Sequence, residues 1–491
     1  MPVFTSIPPV RARPIPQHEK WIVYCVAFAA FSFQFEAFLV SVALPDMARE
    51  MVVSSTAISF VVMSYLLAAS MSFLPAGRLG DRYGFRRVYF YGGMLACVGT
   101  VLSGLSANVL MLCGSRFLQG VGMGALVAVS YAMIPTWIHK ERLGWGYGML
   151  SLGAGLGMIA GIPVGGVLSH YLSWQWVFLA SVPVLVMLLV LAYCHLPRQA
   201  STQLASAQRS TLDWTGLLLF GLLVSVLMLS ISLGAEFGWT SRWILFLLLM
   251  SAVLAAVLFW RARHGRSIFS ASLFRCQGFS LALLTLFLFQ FVSTGVRFLM
   301  PFYLELSIGL SVLMSSAFML TYPIAFAPTA LWAGRLADRI GSHWMVLGAM
   351  GMSALICGLY ANVIEQKNIW MFFVFIFSFG VLCALFSPPN NRLMMVAVPE
   401  QDRSEASALL PVALNMGSLL GISVFETVFS LGFPVEMSQS LQSLTVSQEA
   451  QLLILDGFKQ AICLASLILF STFIYLFVKR TRQNEMRAND H

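Results

Sequence analysis

The chain is 491 residues long, 59% hydrophobic and only 10% charged, with a formal net charge of +9 and a mean hydropathy of +0.83. Soluble domains carry about 25% charged residues, so this composition excludes a water-facing surface over most of the molecule. In so apolar a chain the basic excess is read as loops held on one side of a membrane rather than as a nucleic-acid surface.

A helix crosses the hydrocarbon core with about 20 apolar residues. Runs of that kind predict fourteen spans, at 21–44, 56–76, 88–108, 110–135, 146–169, 174–196, 212–235, 242–262, 279–304, 313–333, 344–363, 369–398, 405–430 and 457–478. The expected fold class is therefore all-α and polytopic. The first run is too long for the apolar core of a cleavable signal and is read as span 1. After span 2 comes a polar, glycine-punctuated loop, GRLGDRYGFRR (77–87). It returns after span 10 as GRLADRIGSHW (334–344), with seven of nine positions identical between 76–84 and 333–341. The two copies lie eight spans apart. Two related six-span halves would put them six apart, so a helix pair is inserted between the halves. The predicted units are 1–196, a linker with two inserted helices at 197–275, and 276–491. The polar stretch 197–211 is the linker, and the Ser/Gln-rich stretch 433–456 is the longest loop on the other side, with a short surface helix expected in it.

Charge orients the chain. With both termini in the cytoplasm, only Arg49, Arg242, Lys367 and Lys459 fall on the outside, and Arg116, Arg297 and Arg392 fall within the membrane. No Asn-x-Ser/Thr sequon occurs, which favours a bacterial inner membrane. The eight Cys form no CxxC pair and the seven His no HExxH, so neither a metal site nor a disulfide framework is indicated. GxxxxGK[ST] is absent, and no nucleotide or other cofactor is expected.

Ionisable residues inside a membrane are costly and mark function or a buried bond. Glu36 lies nine residues before Pro45, near mid-bilayer, where an ionised carboxylate costs on the order of 2.5 kcal/mol or more. It reads as a proton carrier, or else as a structural carboxylate bonded to its neighbours. Arg116 is its natural partner, or else an anchor for span 4. Glu426 in span 13 is a second candidate titrating group. Arg297 and Glu305 in span 9, and Asn390, Asn391 and Arg392 beside Pro388-Pro389 in span 12, are candidates for a substrate cavity; a packing kink and snorkelling to the surface are their alternatives. The span-5 glycines (153, 155, 157, 161, 165 and 166), around Pro163, suggest a close and bendable contact between the halves. In the repeated loop, Gly77 and Gly84 permit tight turns, and Asp81 can cap a helix N-terminus. Phe28, Phe31, Phe35 and Phe38 form one stripe of span 1. It faces lipid or packing, or lines a cavity suited to flat lipophilic or cationic compounds.

Taken together these marks resemble the major facilitator superfamily, and within it the fourteen-helix drug:proton antiporter group. The loop and its repeat resemble the superfamily's loop signature. RFLQGVGMGA (116–125) is similar to its fourth-span signature, and GLGMIAGIPVGG (155–166) to the antiporter motif of span 5. FEAFLVSVALP (35–45), WQWVFLASVP (174–183), DWTGLLL (213–219) and SPPNN (387–391) agree. The chain departs from the group at Glu36, where Asp is usual, at Ser41, Gln175 and Ser181, and at Pro163, which comes one residue late.

The resemblance implies two six-helix bundles plus two inserted helices, and secondary active efflux of lipophilic or cationic compounds in exchange for protons by alternating access. Proton coupling falls to Glu36, Arg116 and Glu426, and the antiporter motif to Gly157, Gly161, Pro163, Gly165 and Gly166. The loop becomes a latch for the cytoplasmic face: Gly77, Asp81, Arg82, Gly84, Arg86 and Arg87, with Gly334, Asp338, Arg339 and Gly341 in the second copy. That copy is expected to latch more weakly, because His343 and Trp344 replace the terminal arginines. Implied partners are a small-molecule substrate, protons and the lipid bilayer, with an envelope-spanning adaptor and outer-membrane channel as optional additions. A dedicated exporter of one metabolite (a siderophore, lipid or amino-acid derivative) is the alternative; a transporter-like sensor or membrane enzyme is the third reading.

Overall fold

The computed structural model describes residues 15–52, 55–197, 213–264, 273, 276–399, 402–430 and 448–489. Nearly all of these are helical, and no strand occurs among them. Lipid offers no hydrogen bonds, so each crossing segment must satisfy its own backbone, which a helix does. The first half comprises α1 (Gln17–Glu50), α2 (Ser55–Tyr83), α3 (Phe85–Gly104), α4 (Val109–Trp137), α5 (Leu143–Tyr171) and α6 (Trp174–Leu179 with Ser181–His195). The inserted pair is α7 (Trp214–Phe237) and α8 (Arg242–Arg263). The second half comprises α9 (Gln277–Phe302), α10 (Val312–Met319 with Thr321–Ile340), α11 (Ser342–Val363), α12 (Ile369–Ala397), α13 (Arg403–Ser430) and α14 (Gln448–Asn489). Each falls on one predicted span. Twelve are long and apolar enough to cross a membrane on those grounds alone. The other two, α3 and α10, carry Arg86 and Arg87 at one end and Arg335, Asp338 and Arg339 at the other.

Proline sets the two internal breaks. Pro183 follows Ala180 by three residues and Pro323 follows Leu320 by three. A proline cannot donate to the carbonyl four residues back, so the helix loosens one position before it. The linker at 197–211 lies outside the described residues apart from its first residue, as does most of 433–456. The described end of that second stretch, from 448 on, is not a separate surface helix but the first turns of α14.

The repeated loop is mostly not a loop. Helix α2 runs on to Tyr83 and α3 starts at Phe85, so the whole turn is Gly84, at φ 93°. The second copy repeats this with Gly341, at φ 98°, between α10 and α11. Only glycine adopts that conformation without strain. Gly77 and Gly334 make no turn; both are buried within helix.

The halves meet along two seams. On one, α5 packs against α10; on the other, α13 packs against α2 and α4. Inserted helix α7 lies over the second seam, where Leu217 meets Leu74 of α2 and Ala408 of α13. Asp213 caps α7 through the amide of Gly216 and accepts from Arg261 of α8 at 2.8 and 2.9 Å, which ties the pair together.

The α5 glycines divide their work differently from the expectation. A Cβ on Gly153, Gly157, Gly161 or Gly165 would collide with the carbonyls of Ala27, Phe31, Phe35 and Leu39 in turn. This four-residue ladder therefore seats α5 on α1 within one half. The contact between halves uses Gly144, Gly148 and Gly155, set against Gly334, Ala330 and Ala327 of α10. Pro163 is exposed, and Gly166 is partly so.

Candidate transport site

A cavity of about 580 Å³ lies between the halves, lined by α1, α2, α4 and α5 from one and α9, α10, α12 and α13 from the other. Its size is that of a drug-sized ligand pocket. Much of the wall is aromatic: Phe33 and Phe38 of α1, Phe289 and Phe386 stacked at 3.9 Å, and Tyr322 and Phe326 stacked at 5.9 Å. Polar side chains are spread through the lining, and those of α9 and α13 bond one another. Gln290 donates to Thr294 and Ser418, both at 2.9 Å, and Arg297 donates to the Ser293 carbonyl at 3.1 Å and Thr294 Oγ1 at 3.2 Å. Arg297 is the sole charged side chain among the described residues lining the cavity.

Glu36 does not line it. The carboxylate is 1% exposed and points away, toward α3 and α4. Nor does it pair directly with Arg116. Gln119, one turn beyond Arg116 on α4, stands between them. Its Nε2 donates to Glu36 Oε2 at 2.8 Å and to Thr100 at 2.7 Å, while its Oε1 accepts from Arg116 Nη1 at 2.6 Å. Gly99 makes this possible, since any side chain there would strike the backbone of Gln119. The Arg116 guanidinium lies over the rings of Tyr65 at 4.4 Å and Phe178 at 5.4 Å, a favourable seat for a desolvated cation. Among the described residues, Glu36 Oε1, Arg116 Nε and the Tyr65 hydroxyl have no hydrogen-bond partner. A buried polar atom left so costs about 1–3 kcal/mol, so the network is sensitive to one proton more or less. Gln119 was legible only as a polar residue at helical spacing from Arg116; its bridging needs the packing of α1 on α4.

The helix ends that carry the GRL repeats join the halves. Asp338 accepts from the Gly144 and Trp145 amides, both at 2.9 Å, and so caps α5 of the other half. It also pairs with Arg392 at 2.9 Å, which in turn reaches Ser342. Burial pushes its carboxyl up to about 6, against the pull of Trp145, Arg392 and Gly144. Gly334 permits this approach, because a Cβ there would enter the Gly144 carbonyl. From the first copy, Arg78 pairs with Glu405 of α13 at 3.0 Å. The second copy, despite His343 and Trp344 in place of the terminal arginines, reaches the other half through Asp338, which also bonds a partner on α12. Arg86 bonds the Tyr193 carbonyl at 2.7 Å within its own half, and Arg82, Arg87 and Arg339 are exposed. Asp81 is half-buried.

The remaining candidates separate. Asn390 and Asn391 are fully buried and do not line the cavity; Asn390 bonds Ala282 and Thr285 and so holds α12 to α9. Arg392 serves Asp338 instead. Glu305 lies in a π-helical turn, Tyr303–Ser307, after Pro301, and Glu426 is half-buried on α13; neither lines the cavity. Of the five cavity candidates, only Arg297 is there. The Phe stripe divides likewise: Phe28, Phe31 and Phe35 stack on one another, and only Phe38 reaches the cavity.

Comparison with known proteins follows from this geometry. A family model described as Major Facilitator Superfamily matches residues 26–297 and 282–484. The chain is 25% identical over 432 residues to the riboflavin transporter RibZ of Clostridioides difficile (strain 630), covering 88% of this chain and 90% of that protein. It is 27% identical to the multidrug resistance protein Stp of Mycobacterium tuberculosis (strain CDC 1551 / Oshkosh), covering 84% and 76%. Among solved structures, the proton:xylose symporter XylE aligns with a TM-score of 0.65 at 14% identity over 93% of this chain and 95% of that one. The chain is a multi-pass membrane protein that belongs to the Major Facilitator Superfamily of transporters.

Proposed function

We propose that this protein is a secondary active exporter of lipophilic small molecules, driven by proton entry through alternating access. The observation that carries the reading is the sealed Glu36–Gln119–Arg116 network set beside, but outside, the cavity. A carboxylate whose charge is balanced only through a neutral bridge responds to a proton. Its helix, α1, also presents Phe33, Gln34 and Phe38 to the substrate space. Protonation and substrate occupancy can therefore bias the same helix. Glu426, away from the cavity, is kept as a second titrating group.

With both termini in the cytoplasm of a bacterial inner membrane, the joined GRL ends close the cytoplasmic face, and the conformation described is open or occluded toward the outside. Asp338 and Gly334, with Arg78, Asp81 and Gly84 in the first copy, act as the latch. The 1–196 and 276–491 bundles rock about the α5–α10 and α2–α13 seams, with 197–275 bracing one of them. An adaptor and outer-membrane channel would extend export across a second membrane.

The test is flux in liposomes holding purified protein, with and without an inward proton gradient. Gradient-driven flux that disappears in Glu36→Gln is expected; flux indifferent to the gradient overturns the coupling. A carrier for one metabolite is the second reading, favoured by the end-to-end likeness to a riboflavin transporter. A panel of unrelated lipophilic compounds separates the two, since a dedicated carrier moves one chemical type and leaves the rest.

A further inference from the structure

The sequence places three arginines within apolar spans, and two have an acid to answer them. Arg116 is balanced by Glu36 through Gln119, and Arg392 by Asp338. Arg297 differs. Its Nε and Nη2 bond within its own helix, to Ser293 and Thr294, and its Cζ lies 4.6 Å from the Tyr322 ring centre. It makes no ion pair among the described residues. Glu305, eight residues on and about 12 Å along the axis, does not pair with it. No described residue lining the cavity is acidic.

A guanidinium cannot shed its charge, so its cost in a low-dielectric space is relieved only by an anion or by water. The Nη1 edge, with no bond among the described residues, can take a carboxylate in the paired geometry that guanidinium groups favour. The Tyr322 ring lies against the guanidinium, and the same cavity is lined by Phe326, Phe33 and Phe38 and by the amide of Gln290. A cation would meet one like charge and no counter-charge, which removes the cationic class that aromatic content alone suggests.

We propose that the cavity selects aromatic anions, with Arg297 holding the acid group and the aromatic wall holding the ring. This rests on the cavity being the transport site. Arg297 here determines charge preference; Gln290, Thr294 and Ser418 hold its surroundings.

The experiment measures equilibrium binding of 2-naphthoate, 2-naphthamide and 2-naphthylmethylammonium to purified full-length protein in detergent. The three share a ring and differ in charge. Naphthoate should bind at least about tenfold more tightly than the ammonium compound. In Arg297→Gln that ratio should fall to about one with amide binding unchanged, and Arg297→Lys should keep part of it. Thermal unfolding of both variants, together with the amide, reports folding. Equal binding of acid and ammonium, preference for the ammonium, a preference that survives Arg297→Gln, or binding of none of the three overturns the proposal. The export reading fails separately, by loss of gradient-driven flux while the charge preference stands.

Discussion

The two halves of this molecule use intramembrane charge in opposite ways. In the first half, Glu36 and Arg116 are each 1% exposed, joined through Gln119 and shut away from the cavity by their own helices. In the second half, Arg297 stands in the cavity wall among hydroxyls and an amide, with no acid beside it. The helices that carry Glu36 and Arg297, α1 and α9, each open their half and hold equivalent places in the repeat. Each packs on a glycine-bearing partner, α5 and α13, in the same way: Gly153 to Gly165 lie against α1, and Gly417 and Gly421 against α9. One scaffold thus carries a sealed carboxylate network on one side and a cavity-facing charge on the other. On the proposed reading, this separation lets a substrate be held without direct competition for the proton's own group.

The comparison breaks most readily at Glu36. Glu36→Gln should lower gradient-driven flux on the order of 100-fold while substrate affinity stays within about threefold; loss of binding in equal measure would show that the two sites are one. The next effect in size lies at the contact of Gly334 with Gly144 between the halves, the proposed latch. Gly334→Leu places a side chain in the Gly144 carbonyl, so the closed GRL face cannot form, and flux in liposomes should drop about tenfold with the protein still folded. Normal flux would mean that this seam stays shut throughout the cycle.

Smaller effects sharpen the contrast. Gln119→Ala strips the bridge from two buried ionisable groups, and about 1–3 kcal/mol of stability should go with it, read as a lower denaturation midpoint. Gln290→Ala, in the accessible wall of the other half, should cost much less, because water can replace its bonds. Equal losses would deny that one network is sealed and the other open.

A further effect is one of pH at Asp338. Its carboxyl, raised by burial to about 6 when docked, returns to about 3.9 when exposed. The docked state then binds the proton more readily, so the stabilisation is complete below about pH 4 and is lost as pH rises through about 6. Spin labels at Glu141→Cys and Trp344→Cys, on either side of the joint, should show the short distance gaining population as pH is lowered. A gain on raising pH would reverse the sign and give the bonds to Gly144, Trp145 and Arg392 the larger share.

Much of the fold was legible because lipid reads local properties. Fourteen apolar runs became fourteen helices, and the repeat of GRLGDRYG as GRLADRIG marked two related segments eight spans apart. Glu36 and Arg116 were identifiable as costly residues needing partners. The repeated segment was misjudged in kind: glycine and charge look like loop, yet α2 and α10 run straight through it to one left-handed glycine. Asn390, Asn391 and Arg392 were equally polar and equally central in sequence, but polarity alone does not say which way a helix is turned.

The amino-acid order by itself determined the number of crossings, the doubled plan with an inserted pair, and which ionisable groups are submerged. All of these follow from hydropathy and repetition, which need no knowledge of neighbours. Tertiary structure decided which of those groups face the cavity. It turned Arg297 into the cavity and Arg392 onto Asp338, set Gln119 between Glu36 and Arg116, and gave the α5 glycines to two different partners. Those outcomes depend on the rotation of each helix about its axis and on contacts between residues distant in sequence, which close packing settles and a linear pattern does not carry.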